Sequence, residues 1–149
     1  MAKLVSKPAK DLARPTMKRL VILLFPLLTS CAVYDAVTMT KYDPNEYLLI
    51  SEIRVDARHY AAGCNNPIMS QPNAVAMARK TELFQAYSEN LPSNGDGIRA
   101  ATALNEIAQG LVTQYNTNGK VSPLFCKLKF EGIEHSADTI QHVLGNRPR

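Results

Sequence analysis

Apolar side chains recur at spacings of three and four residues in four successive segments after residue 43. This spacing places them on one face of an α-helix, and clusters of glycine, proline and asparagine separate the segments. Short connections between consecutive helices favour antiparallel neighbours. The sequence therefore predicts an all-α fold, a small four-helix bundle-like domain over residues 43–149.

Two of the helix starts are marked by a capping residue followed by proline. Asp43 precedes Pro44, and Ser122 precedes Pro123. The cap accepts hydrogen bonds from free N–H groups of the first turn, and proline at the first helical position loses no hydrogen bond. Glu46 is placed to complete an acidic variant of the capping box with Asp43.

The other boundaries rest on weaker signals. We expect the second helix to open at Pro72 and the third to be capped by Asp96. Gly132 interrupts the fourth pattern, so a break near residue 130 is open, and residues 124–133 could instead form a short strand. The expected inward face of the fourth helix holds six apolar residues, Phe125, Leu128, Ile133, Ala137, Ile140 and Leu144.

The segment before this domain has the order of a secretory signal peptide. Lys18 and Arg19 supply positive charge, and residues 20–28 form an apolar run. The run is short for a transmembrane helix, and Pro26 would kink it. The translation start is either Met1 or Met17.

Leu28, Thr29 and Ser30 stand directly before Cys31. An aliphatic residue, two small residues and a cysteine after an apolar run resemble the lipobox of bacterial lipoprotein precursors. The resemblance covers residues 17–32 and says nothing about the fold that follows. It implies that residues 1–30 are removed as a signal peptide and that the Cys31 thiol receives diacylglycerol. An uncleaved membrane anchor, or a core helix that ends at Cys31, is the alternative.

The same resemblance predicts the organisation and address of the mature protein. Residues 31–42 would form the lipidated cysteine and a tether, and residues 43–149 the helical periplasmic domain. Lipoproteins retained at the inner membrane usually have Asp at the position of Ala32. In a diderm host we therefore expect this protein to be anchored at the periplasmic face of the outer membrane.

With Cys31 assigned to lipid, Cys64 and Cys126 remain. Two cysteines in an exported domain predict one disulfide, because the periplasm is oxidising. The loop of about 60 residues would disfavour the unfolded state by about 4 kcal/mol. Two separately buried thiols are the alternative. In an up-down-up-down bundle the end of helix one and the start of helix four lie at one pole, which fits the disulfide.

The net charge of +4 comes from the targeting segment. Residues 1–30 carry six basic side chains and one acidic, while the rest of the chain has 11 basic and 12 acidic. The mature domain is therefore close to neutral, and nucleic-acid binding is not expected.

No motif points to catalysis, a metal or a cofactor. His135 and His142 could share a helix face with Asp138, but metal-binding pairs on one helix usually sit four apart. His59 near Cys64 could suggest a nucleophile pair, which a disulfide would exclude. We therefore expect no catalytic residues, no metal ligands and no cofactor.

The predicted function is that of a lipid-anchored, non-enzymatic interaction module of the envelope: an accessory subunit, a pilot or an exclusion factor. Its expected partners are the membrane, through Cys31, and an unidentified envelope protein. Tyr34, Tyr42 and Tyr47 cluster in the tether and first turn, where a surface could receive their rings. Two alternatives remain, an outer spanin-type phage lysis lipoprotein and a peptidoglycan-directed hydrolase.

Overall fold

The computed structural model describes residues 40–149, and this part of the chain is all-α. A single 3-10 turn, Gly63–Asn65, lies between the first and second helices. The helices are α1 (Pro44–Ala62), α2 (Pro67–Glu89), α3 (Gly95–Asn118) and α4 (Pro123–Gly145). The predicted four-helix bundle-like fold is confirmed.

Consecutive helices pack side by side, and α1 also packs against α4. Each helix therefore has two main neighbours, and the bundle is closed. The bundle has two ends. One end, here the terminal pole, holds residues 40–43, the α2–α3 connection and residues 146–149. The other, the disulfide pole, holds residues 63–66 and 119–122 with the starts of α2 and α4. Each helix is about 30–35 Å long at 1.5 Å per residue.

The caps of α1 and α4 are as predicted. One carboxylate oxygen of Asp43 accepts hydrogen bonds from the backbone N–H groups of Asn45 at 2.9 Å and Glu46 at 2.8 Å. The hydroxyl of Ser122 accepts from the N–H of Phe125 at 3.2 Å. The capping-box role of Glu46 is wrong, because its carboxylate is buried and bound to side chains from elsewhere in the chain.

The second helix starts five residues before the predicted Pro72. Asn66 caps it by accepting a hydrogen bond from the N–H of Ile68 at 3.0 Å, and Pro67 takes the first helical position. This is the same cap-then-proline order that marks α1 and α4. Pro72 lies inside the helix, where its missing N–H removes the hydrogen bond to the Ile68 carbonyl that the α-helical pattern would otherwise contain.

The third helix is preceded by Asn94 and not capped by Asp96. Asp96 lies in the first turn and forms an exposed ion pair with Arg99. Asn94 makes no side-chain capping bond, because its amide is committed to buried partners at the terminal pole.

The fourth helix runs unbroken through Gly132, and no strand is found among residues 40–149. Its predicted register is wrong in the first two turns, where Phe125 is 37% and Leu128 58% exposed. Cys126 and Phe130 face inward instead and are fully buried. They continue the spacing of Ile133 and Ala137 backwards at three and four residues, and the disulfide fixes Cys126 inward.

The core fills the space between the four helices from pole to pole. The ring of Tyr60 packs edge-on against Phe130, with centroids 5.7 Å apart. The residues at three-and-four spacing on α1, α2 and α3 face inward as predicted, with Tyr60, Ile107 and Val112 only partly buried. The largest fully buried apolar side chains are Phe84, Phe130, Ile50, Ile53, Met77, Leu104, Leu111 and Ile133.

Candidate functional site

The disulfide pole is closed by a bond between Cys64 and Cys126, which confirms the predicted pairing. The two Cα atoms are 5.8 Å apart across 62 residues of sequence. Both cysteines are buried, so the bond ties the end of α1 to the start of α4 beneath the surface. The bond therefore fixes the distance between the 3-10 turn after α1 and the first turn of α4.

A cavity of about 230 Å³ lies beside the disulfide, and we call it the pole cavity. Its wall is built from the 3-10 turn, the first turns of α2 and the connection between α3 and α4. Gly119 begins that connection in the left-handed region, at φ 67°, as the end of α3 requires. The lining residues are Cys64, Asn65, Pro67, Ser70, Gln71, Tyr115, Gly119, Lys120, Val121 and Pro123.

Tyr115, one of the lining residues, carries an unsatisfied polar group. The residue is only 4% exposed, and its hydroxyl is buried without a hydrogen-bond partner. An unmade hydrogen bond of this kind costs about 1–3 kcal/mol, so buried tyrosine hydroxyls normally find a partner. Of the polar side chains described at this pole, Tyr115 is the one that is buried without a hydrogen-bond partner.

The charges around the pole cavity are of one sign. The helices α2 and α4 both begin here, and neither carries an acidic residue in its first turn. Residues 63–72 and 116–126 contain no Asp or Glu, and their one charged side chain is Lys120. The starts of α2 and α4 carry a partial positive charge and the ends of α1 and α3 a partial negative one, so the helix dipoles largely cancel at this pole.

Exposed apolar side chains are concentrated at the same pole. Ile68 is 79% exposed and Leu124 67%, each in the first turn of its helix. The first prolines of these two helices, Pro67 and Pro123, line the pole cavity, and Ile68 and Leu124 directly follow them in the sequence. The others in the first two turns are Met69 at 48%, Phe125 at 37% and Leu128 at 58%. Half of the ten large exposed apolar residues that the structure describes are therefore found at this pole.

The terminal pole holds a buried polar network that the sequence reasoning missed. Glu46 is fully buried, and its carboxylate accepts hydrogen bonds from Ser88 at 3.0 Å, Asn94 at 2.8 Å and Arg147 at 2.5 Å. Arg147 also donates to the Asn94 side-chain oxygen at 2.7 Å. The network joins α1, α2, the α2–α3 connection and the end of the chain.

The chain leading into α1 is bound to the same pole. The N–H of Tyr42 donates to the carbonyl of Pro148 at 2.8 Å, and Thr40 donates to the carbonyl of Ser93 at 2.6 Å. The ring of Tyr42 lies 5.8 Å from that of Tyr47, with the Arg149 guanidinium 5.5 Å from its centroid. These two tyrosines are thus engaged within the domain, and Tyr34 lies outside the described residues.

The histidines considered from the sequence do not form a metal-binding group with their neighbours. His59, His135 and His142 are all exposed. Within residues 40–149 no group of three or more His, Cys, Asp and Glu side chains is arranged to hold a metal ion. His59 has no thiol to activate in Cys64, which is oxidised.

The predicted lipidation site Cys31 and the lipobox residues Leu28, Thr29 and Ser30 lie outside the described residues. None of the four helices that the structure describes is long and apolar enough to cross a membrane.

Comparison with known proteins returned no relative. No family model matches the chain, and neither the curated proteins nor the solved structures contain a significant match.

Proposed function

We propose that this chain is a lipid-anchored envelope lipoprotein whose helical domain is non-enzymatic and binds a partner protein through the disulfide pole. The observation that carries the proposal is the concentration of exposed apolar side chains at the disulfide pole. Monomeric soluble domains rarely expose clustered apolar surface, and where they do it commonly marks an interaction site.

The anchor gives this surface its direction. Eight residues lie between Cys31 and Thr40, and an extended chain over these nine Cα–Cα steps reaches at most about 30 Å. A lipid on Cys31 would therefore keep the terminal pole close to the membrane. The disulfide pole, about 30–35 Å further along the helices, would project away from the lipid toward a partner.

Burial of these side chains against a partner would favour binding. Fully burying an apolar side chain of this size against a partner is worth about 1.5–3 kcal/mol. The partly exposed side chains of this pole would each contribute less than that. The polar groups of the cavity would make binding selective for one partner and would add little to its strength.

The anchor is tested by the intact mass of the membrane-extracted protein beside a Cys31→Ser variant. We expect a lipid-modified chain that begins at Cys31, and an unmodified, unprocessed chain for the variant. An unmodified native chain that still carries residues 20–28 would overturn the lipoprotein assignment.

The interface is tested by site-specific photocrosslinking in the native envelope. A crosslinker at Leu124 should capture a defined partner, and the adduct should be lost on Leu128→Glu. Leu48→Glu is the matched control, because Leu48 is 56% exposed against 58% for Leu128 and lies on α1 near the terminal pole. Equal losses from the two substitutions, or no adduct from this pole, would contradict the proposal.

A further inference from the structure

We propose that Asn118 is a site of spontaneous covalent modification, where the side-chain amide is converted to a carboxylate in the folded protein. The chain contains two Asn-Gly pairs, Asn94-Gly95 and Asn118-Gly119. Asparagine is among the chemically labile residues, and glycine has no Cβ to keep its backbone nitrogen away from the preceding side chain. The structure leaves the second pair open to this reaction and protects the first.

The reaction at this site needs only water. The backbone nitrogen of Gly119 attacks the side-chain carbon Cγ of Asn118, and a cyclic succinimide forms. The proton of the attacking nitrogen passes through solvent to the leaving amide nitrogen, which departs as ammonia. Water then opens the ring at either of its two carbonyl groups. One opening gives aspartate, and the other gives isoaspartate, in which the backbone runs through the former side chain and is one carbon longer.

The contacts of Asn118 restrain this movement only weakly. The residue is exposed and is the last residue of α3. Its side-chain amide donates to the Gln114 side chain at 2.9 Å, and the N–H of Gly119 donates to the carbonyl of Tyr115 at 2.8 Å. Both bonds must open before the nitrogen can attack. They belong to the last turn of the helix, and helix ends fray at free energies far below that of global unfolding.

The chain that follows does not oppose the movement either. The attack requires rotation of the peptide group between Asn118 and Gly119, which displaces residues 120–122. Within residues 40–149 the N–H groups of these three residues make no hydrogen bond to another backbone group. The space around Gly119 is open, because an added Cβ would meet no atom within 4 Å. The rearrangement therefore stays local to the connection between α3 and α4.

Asn94 has the same neighbour in sequence and the opposite surroundings. It is only 3% exposed. Its amide nitrogen donates to the carboxylate of Glu46 at 2.8 Å and to the carbonyl of Ser88 at 3.1 Å, and its oxygen accepts from Arg147 at 2.7 Å. Movement of this side chain would break bonds that satisfy two buried charges. The folded domain therefore protects Asn94, and the molecule contains its own control.

The modified site belongs to the disulfide pole. The product adds a negative charge two residues before Lys120, in a segment without acidic side chains. Isoaspartate also lengthens the connection from which Gly119, Lys120 and Val121 line the pole cavity. The surface that we propose as the interface therefore changes with the age of the molecule. Only this consequence rests on the proposed function, and the modification itself does not.

The test is peptide mapping by mass spectrometry of the full chain, aged in detergent micelles and, in parallel, in concentrated guanidinium chloride. In the folded protein we expect the Asn-to-Asp mass change at Asn118 to appear at least about tenfold faster than at Asn94. In guanidinium chloride the two sites should react at similar rates, because both precede glycine and neither is protected. The rate at Asn118 should rise with pH, because the attacking nitrogen must lose its proton.

Two comparisons assign the reaction to the Asn-Gly pair. Asn116 is the matched internal control, because it is also exposed on α3 but precedes Thr117, and we expect it to stay unmodified over the same period. Asn118→Gln should abolish the modification in this part of the chain, since glutamine would have to close a larger ring.

Equal rates at Asn118 and Asn94 in the folded protein would overturn the inference. So would an unmodified Asn118 in the folded protein when the same residue reacts in guanidinium chloride, or a reaction at Asn116 as fast as at Asn118. The outcome is separable from that of the proposed function, because capture of a partner by a crosslinker at Leu124 in fresh protein does not depend on this reaction.

Discussion

Arg147 donates a hydrogen bond of 2.5 Å to the carboxylate of Glu46 across 101 residues of sequence. The side chains of this pair are 7% and 1% exposed, so both charges are almost fully removed from water. Ser88 and Asn94 satisfy the remaining carboxylate oxygen. A buried pair of this kind specifies which ends of the chain meet, and it is costly to break because the surviving charge stays buried.

Removing one member of this pair should therefore be strongly destabilising. We expect Glu46→Ala to lower the free energy of unfolding by about 3–5 kcal/mol, measured by urea denaturation. The double variant Glu46→Met/Arg147→Met should cost less than the two single changes together, because no unpaired charge remains. Arg58→Ala breaks the more exposed pair with Glu134 and should cost below about 1 kcal/mol. Equal losses in Glu46→Ala and Arg58→Ala would contradict this account.

Two glycines of α3 should respond to alanine in opposite directions. A Cβ at Gly97 would collide with the side chain of Asn94, which belongs to the buried network. We expect Gly97→Ala to lower the free energy of unfolding by about 1–3 kcal/mol. Gly110→Ala meets no atom within 4 Å and should raise it by about 0.5–1 kcal/mol, because glycine is a poor helix former. Thermal unfolding of both variants gives the change in stability of each. An increase in stability for Gly97→Ala would contradict the predicted collision with Asn94.

Reduction of the Cys64–Cys126 disulfide should weaken the domain without altering its helix content at low temperature. Without the bond across 62 residues, the unfolded chain gains conformational entropy, which lowers the free energy of unfolding by about 4 kcal/mol. Urea unfolding with and without reductant measures the loss, and Cys64→Ala/Cys126→Ala should reproduce it in the absence of reductant. An unchanged unfolding midpoint after complete reduction would show that the bond adds no stability.

Lys80 links α2 to α1 and gives the domain a defined alkaline response. Its ammonium group lies 2.5 Å from the Asp56 carboxylate and 3.4 Å from that of Glu52. The hydrogen bond to Asp56, despite the opposing effect of burial, raises the pKa of Lys80 above its ordinary value of 10.5. A raised pKa means that the folded state holds the proton more tightly than the unfolded state. The stabilisation is therefore complete below about pH 10.5 and is lost as the pH rises through the folded-state value.

The measurement is the free energy of unfolding of the native protein and Lys80→Met between pH 7 and pH 11.5. We expect a constant difference of less than about 1 kcal/mol up to about pH 10, since the pair is partly exposed. The difference should shrink at higher pH. A difference that grows with pH would have the wrong sign for this pair.

The features that could be predicted from the sequence are those with a local physical cause. Asp43-Pro44 and Ser122-Pro123 mark helix starts because capping involves residues two or three apart, and Asn66-Pro67 carries the same signal where Pro72 was preferred. The disulfide followed from counting cysteines and from the antiparallel order of the helices. The fold class and two of the four helix starts were therefore within reach of the sequence.

The features that could not be predicted depend on contacts between distant segments. Nothing near Glu46 indicates that its partner is Arg147, because a buried charge pair has no short-range periodicity. Nothing near Asn94 indicates its buried partners either, for the same reason. The unpartnered hydroxyl of Tyr115 is likewise visible only once the surrounding residues are in place. The register of α4 could have been found from the unbroken spacing of Cys126, Phe130 and Ile133.

Both ends of the described chain meet at the terminal pole, where Tyr42 binds Pro148. The opposite end of the bundle is built only from internal turns, so additions at either end of residues 40–149 emerge away from it. A fluorescent reporter fused after Arg149 would therefore leave the disulfide pole unobstructed, while a short insertion between Gly119 and Lys120 would block it. The C-terminal fusion and the internal insertion would therefore mask the terminal pole and the disulfide pole separately in living cells.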